Sequence, residues 1–273
     1  MRYIALVLSA LLVLATGARV EAASVSKPQR EAVIFITNLS QGSNIERSFY
    51  DVVEFAAAAL AQASLTPNYQ KVTTIQGNGA TLVALRNALK TATGKPGIKA
   101  VDLIFVTHGL SDQVLFADGR KTMSQVASDL TANLTAAHRA KLRMIFSTAC
   151  FGSTHRTKWR DSGFKTASGS QGVYADSALS YPAFLTAWIA GQSFSNAVGV
   201  ANGIDPLKIS DNAAKAWFNS QNRGDLANRE QQQACQRIHV AENRHDALIG
   251  QRRRKGQSLR ATEPTEAPST RFR

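Results

Sequence analysis

The chain has 273 residues, a formal net charge of +13 and 44% hydrophobic residues. That length allows one large domain or two small ones with a real core, and the aliphatic content is that of an ordinary soluble globular protein. No segment after the amino terminus is apolar for long enough to span a bilayer as a helix, so the mature chain is expected to be soluble.

Met1-Arg2-Tyr3 is a short basic start, and Ile4 to Ala15 is an apolar run. Val20-Glu21-Ala22 supplies small residues at the spacing of a cleavage site before Ala23. The spacing predicts a secretory signal over residues 1–22, with a membrane anchor as the alternative. The mature chain is then secreted or periplasmic, with no membrane span after signal removal.

Glu31 to Thr37 is rich in β-formers and reads as the first strand, followed by a polar loop from Asn38 to Ser43. Asn44 to Ala63 reads as a helix with Phe49, Val52, Val53, Phe55, Ala56 and Leu60 on its apolar face. Gln70 to Ile75 is a second strand, ended by the turn Gln76-Gly77-Asn78-Gly79. Thr81 to Thr91 is an amphipathic helix built on Leu82, Leu85 and Leu89, which Gly94-Lys95-Pro96-Gly97 closes.

Val101 to Thr107 is an apolar run that leads into His108-Gly109. A small hairpin is expected over Gln113 to Gly119 and a helix over Met123 to Leu134. Leu142 to Ala149 is the next apolar run and leads into Cys150. A further strand is expected within Gly163 to Gly169, and helices over Ser180 to Ala190 and Ser193 to Ala201. From Asp205 to Gly250 the chain is polar, with helical pieces such as Asn212 to Phe218. Strand and helix alternate in the manner of a doubly wound parallel sheet. The main domain is expected over 23–250.

Residues 251–273 carry Arg252, Arg253, Arg254, Lys255, Arg260, Arg271 and Arg273 against Glu263 and Glu266, with prolines and no apolar periodicity. The composition predicts a disordered basic tail. Such a tail can meet nucleic acid, anionic lipid or cell-wall polymers, but a solvated tail is the plainer reading. Export argues against a nucleic-acid partner.

Both apolar runs place a reactive residue at the carboxyl end of a strand, the edge where open α/β sheets bind ligands. A lone His after a strand is most often a packed core residue. Here Gly109 follows at once, which lets a backbone N–H approach a ligand closely and act as an oxyanion donor. A buried Cys is most often a small apolar residue. Yet Phe151-Gly152-Ser153-Thr154 turns polar and glycine-bearing directly after Cys150. A thiolate there can be activated by His108, and the Cys150 N–H can serve as a second oxyanion donor.

Only Cys150 and Cys235 occur, so a single disulfide is the competing expectation in an oxidising compartment. The strand-end setting of Cys150 favours a reactive thiol. Gly77-Asn78-Gly79 lacks the Lys-Ser/Thr of a phosphate loop, and Gly191-Gln192-Ser193-Phe194-Ser195 lacks the second glycine of a nucleophile elbow. His138, His155, His239 and His245 show no metal-ligand spacing, and His155 reads as a surface-loop residue. No metal and no cofactor are expected.

The blocks Ile104-Phe105-Val106-Thr107-His108-Gly109 and Met144-Ile145-Phe146-Ser147-Thr148-Ala149-Cys150 resemble the hallmark of the caspase-like cysteine peptidases. That group holds caspases, metacaspases, legumain-type enzymes, clostripain and gingipains. Asn78-Gly79-Ala80-Thr81 with Leu85 and Ala88-Leu89 is similar to the segment before the His block in metacaspase-like members. The resemblance covers about Ala32 to Gly172. It implies a three-layer α/β/α fold with a mostly parallel sheet and a Cys150–His108 dyad that hydrolyses peptide bonds. It also implies an oxyanion site of the Gly109 and Cys150 N–H groups, with a peptide or protein as substrate. Residues Lys165 to Ser170 fall where the group lines its substrate groove, so Ser168 and Gly169 are candidate substrate contacts. Metacaspase-like members carry an Asp two residues before the Cys, which selects a basic residue before the scissile bond; Thr148 stands there in this chain. A catalytically inactive, peptide- or protein-binding domain of the same fold is the alternative. A different α/β hydrolase acting through the same Cys is a third reading.

Overall fold

The two apolar runs that lead to His108 and Cys150 are neighbouring parallel strands. The computed structural model describes residues 25–37, 44–170, 177–203, 216, 219–220 and 238–241, with the backbone alone over 44–54, 177–179 and 238–241. The expected export signal, the 38–43 loop, most of the 212–218 helical piece, Cys235 and the basic tail lie outside the described residues. Every described residue belongs to one compact unit.

In chain order, β1 (Arg30–Thr37) leads to α1 (Asn44–Leu65), β2 (Lys71–Gly77), α2 (Leu82–Gly94) and β3 (Ala100–Val106). A small antiparallel sheet follows, formed by β4 (Gly109–Leu110), β5 (Gln113–Phe116) and β6 (Gly119–Thr122). Next come α3 (Met123–Asn133), the single turn α4 (Ala136–Arg139), β7 (Leu142–Ser147) and α5 (Arg156–Asp161). β8 (Thr166–Ser170), α6 (Ser177–Ile189), α7 (Phe194–Gly203) and β9 (Ile238–Ala241) complete the described elements.

The main sheet runs in the order β2-β1-β3-β7-β8-β9. All its pairings are parallel except β8 with β9. Period-2 alternation sends side chains to opposite faces. Ile34, Ile36, Ile104, Val106, Met144 and Phe146 therefore meet α1, α6 and α7 on one face. Val33, Phe35, Leu103, Phe105 and Ile145 meet α2, α3 and α5 on the other. Both faces are covered, which is why the central strands read as unbroken apolar runs. The helices begin where the sequence supplies caps. Thr81 accepts a hydrogen bond from the Ala84 N–H at 3.1 Å, and Thr122 with Gln125 forms a full capping box before α3.

Three local expectations change. The α1 face on the sheet is Ala57, Ala61 and Leu65, whereas Phe55 is 74% exposed and Leu60 38%. These three stand at i, i+4 and i+8 on one helix face; the small Ala57 and Ala61 let the helix lie close to the sheet, while Phe55 and Leu60 lie off that face. The hairpin after His108 gains a third strand, because Gly109 and Leu110 pair with Val114 and Gln113. The polar stretch after Asp205 contributes a strand, Ile238–Ala241, whose alternation is too short to stand out against polar surroundings.

Asp102 is a carboxylate buried within the apolar layers. It is 1% exposed and lies in β3 on the α6 side. It accepts from Arg143 Nε at 2.9 Å, from the Tyr69 hydroxyl at 2.5 Å and from Trp188 Nε1 at 3.2 Å. The Arg143 guanidinium stacks on the Trp188 ring at 4.8 Å. This network lies toward the amino ends of the strands, away from His108 and Cys150. Among the described residues, no helix is long and apolar enough to cross a membrane.

Candidate active site

The parallel ladder between β3 and β7 ends at the pair Phe105 and Ser147. One further bond, Thr148 N–H to the Phe105 carbonyl at 3.0 Å, carries the alignment past the strand ends. His108 and Cys150 then follow on adjacent strands at the carboxyl edge of the sheet. Both are half-buried.

The backbone that carries His108 is tied down on both sides. Thr107 is buried; it accepts from the Thr37 hydroxyl at 2.9 Å and donates to the Leu115 carbonyl at 2.6 Å. The His108 carbonyl accepts from the Leu115 N–H at 3.0 Å. The ends of β1, β3 and β5 are thus fastened together one residue before the imidazole. The chain then reverses through Ser111-Asp112, with Asp112 in the left-handed region at φ 57°.

Gly109 meets the Cys150 loop at van der Waals contact. A β-carbon on it would overlap the Cys150 carbonyl oxygen and stand 3.2 Å from the Cys150 nitrogen and 3.0 Å from the Ala149 β-carbon. Only glycine permits that approach, so the main chains of the two candidate oxyanion donors lie against each other.

After Cys150 the chain bends sharply. Phe151 adopts φ 55°, a conformation that costs a non-glycine residue about 1–3 kcal/mol. A 3-10 turn, Gly152–Thr154, follows. Gly152 packs on Gly169 of β8: a β-carbon on Gly169 would overlap the Gly152 carbonyl and lie 2.7 Å from its α-carbon. The Ser170 hydroxyl donates to the Ala149 carbonyl at 3.0 Å. The Cys150 loop therefore rests on the edge of β8 just where β7 has stopped pairing with it, after Ala167.

This defines what Ser168 and Gly169 do in the fold. Ser168 is fully buried; its hydroxyl accepts from the Ser147 N–H at 3.4 Å and reaches the Ile145 carbonyl at 3.5 Å. Gly169 makes room for Gly152. Thr148 is 5% exposed, held in the continuation of β7.

His155, expected on a surface loop, is fully buried. Its Nε2 lies 2.8 Å from the Leu110 carbonyl. Beside it, the Thr154 hydroxyl accepts from the Asp112 N–H at 2.9 Å. Trp159, one helical turn further on, is buried against Phe105 at 5.1 Å and Phe164 at 5.9 Å between ring centres. That anchor fixes α5 and with it the position of His155. No periodic pattern marks His155 in the sequence; the only signal is a titratable residue five positions past the candidate nucleophile. Burial lowers its pKa from the ordinary value of 6.5, opposed by the Leu110 carbonyl and Asp112. Among the described residues, no group of three or more His, Cys, Asp or Glu side chains could hold a metal ion.

No family model matches the sequence, and no curated protein sequence matches it. Among solved structures the chain is similar to caspase-1 from Spodoptera frugiperda, at 11% identity and a TM-score of 0.52, over 84% of this chain and 92% of that one. It is also similar to a secreted C11 cysteine protease from Bacteroides thetaiotaomicron, solved in complex with an irreversible peptide inhibitor. There the identity is 10% and the TM-score 0.44, over 64% of this chain and 58% of that one. The chain thus spans less than two thirds of the C11 protease's length. With its mostly parallel sheet between two helical layers, the fold is that of the caspase-like cysteine peptidases, as the two sequence blocks imply.

Proposed function

We propose that the chain is an exported cysteine endopeptidase in which Cys150 and His108 form the catalytic dyad. The observation that carries this reading is the contact of Gly109 with the Cys150 backbone. It brings the His-Gly segment and the nucleophile loop together at the sheet edge where α/β folds place chemistry. Two glycine-dependent contacts, Gly109 on Cys150 and Gly152 on Gly169, hold the nucleophile loop between β4 and β8.

In this mechanism the Cys150 thiol gives its proton to His108, and Sγ attacks the carbonyl carbon of a peptide bond. The oxyanion is held by the N–H groups of Gly109 and Cys150. His108 protonates the leaving amine as the C–N bond breaks, giving an acyl-thioester. Water, deprotonated by His108, hydrolyses the thioester and regenerates the thiol. The main chain at Ser168 and Gly169 is the proposed substrate-contact segment, since the Ser168 side chain is engaged inside the sheet. With Thr148 buried before Cys150, a carboxylate at that position does not select the substrate.

The test is digestion of an unstructured protein by the chain from residue 23, with new termini read by mass spectrometry. Cleavage by the wild type and its loss in Cys150→Ala support the reading. Cleavage that persists in Cys150→Ala refutes it. Intact mass without reductant reads a Cys150–Cys235 bridge as a loss of about two hydrogens.

A further inference from the structure

We propose that His155 is a positioning residue that holds the β4 strand, and with it the His108-Gly109 segment, against the Cys150 loop. The inference rests on the peptidase reading for its consequence but on independent geometry for its substance.

A carbonyl can only accept, so the Nε2 that lies 2.8 Å from the Leu110 oxygen carries the proton and donates. Neutral imidazole then leaves Nδ1 as an acceptor. That Nδ1 is buried and has no hydrogen-bond partner among the described residues. A buried, unpaired polar atom is unfavourable, and an apolar ring of similar size would avoid it. What His155 provides in exchange is the bond to Leu110, two residues past His108.

The bond is part of a two-point clasp. Thr154 takes the Asp112 N–H at 2.9 Å while His155 takes the Leu110 carbonyl, so successive residues of the nucleophile loop grip both arms of the turn that follows His108. Leu110 is 44% exposed and β4 has only two residues, so β4 has little packing of its own to fix it. Behind the clasp, the His155 carbonyl accepts from the Trp159 N–H at 3.1 Å, and the Trp159 ring is buried in the aromatic core. The loop bearing the nucleophile and the strand that follows its partner His108 are thereby referenced to the same buried indole.

The test compares His155→Gln with His155→Asn. Both are polar and fit within the space of the imidazole, but only the longer Gln amide reaches the Leu110 carbonyl. Three readouts are taken: peptide turnover, iodoacetamide alkylation of Cys150, and amide hydrogen exchange over residues 108–116. We expect kcat to fall roughly 30-fold in His155→Asn and about threefold in His155→Gln, with KM within about twofold, as small misplacements of a reacting pair do. Exchange over 108–116 rises in His155→Asn alone, while the two melting temperatures stay alike. Equal kcat, alkylation and exchange in the two variants overturn the proposal, as does a rate that merely tracks melting temperature. If the wild type turns over no peptide but exchange still separates Asn from Gln, the peptidase reading fails and the clasp stands. Turnover with no difference between the variants has the opposite meaning.

Discussion

His108 and Cys150 stand in register, each three residues beyond Phe105 and Ser147, the last paired residues of two adjacent parallel strands. A parallel ladder advances both chains together, so equal offsets from one pair bring the two side chains to the same edge of the sheet. The contact between Gly109 and the Cys150 backbone then closes the gap.

That contact makes Gly109 a sensitive position. Gly109→Ala is expected to destabilise the fold by about 1–3 kcal/mol through forced displacement of the Cys150 loop. Cys150 reactivity toward a peptide electrophile is expected to fall further than stability does, because the displaced atoms belong to the proposed oxyanion site. Urea denaturation and labelling kinetics on the same variant check both.

Gly169 and Gly199 form a contrasting pair. A methyl group on Gly169 would strike the Gly152 backbone, whereas nothing lies within 4 Å of one on Gly199 in α7. Gly169→Ala should destabilise by about 1–3 kcal/mol. Gly199→Ala, in an exposed helical position, should stabilise by roughly 0.5–1 kcal/mol. Denaturation midpoints of the two variants check the opposite signs.

The fold was largely legible in the strands and helices because the burial pattern and the periodicity coincide. β1, β3 and β7 are covered on both faces, and their apolar runs announce it. His108 and Cys150 were legible because each follows such a run directly. His155 was not, since its role comes from a bond to Leu110, 45 residues earlier in the chain, and no local pattern encodes a partner at that distance. Asp102 did leave a signal, a carboxylate inside an apolar strand, but its partners Tyr69, Arg143 and Trp188 come together only in three dimensions. β9 was hidden because four residues cannot show a period.

The Asp102 network yields a stability prediction separate from the site. Arg143→Met leaves a buried carboxylate without its cation and should cost about 3–5 kcal/mol. Adding Asp102→Leu should recover much of that loss, which a double-mutant cycle in urea measures. Burial, with Asp102 beside it, pushes the Tyr69 phenol well above its ordinary range, so phenolate absorbance from Tyr69 should appear only with unfolding.

His155 predicts a pH dependence of stability. Burial holds its native pKa below the ordinary 6.5. As pH falls through about 6.5 the unfolded chain takes up a proton that the native chain resists, so stability is lost toward acid and the contribution is flat above it. His155→Gln should remove that part of the slope. Urea midpoints across that range for both proteins check it, and an unchanged slope would contradict it.

A His108-activated Cys150 thiol can be put to the test with an electrophilic peptide probe under reducing conditions. The expected result is a single modification, mapped to Cys150, abolished in Cys150→Ala and slowed about 100-fold or more in His108→Ala, as loss of a general base predicts. Labelling elsewhere in the chain, or a Cys150 labelling rate indifferent to His108→Ala, would contradict it.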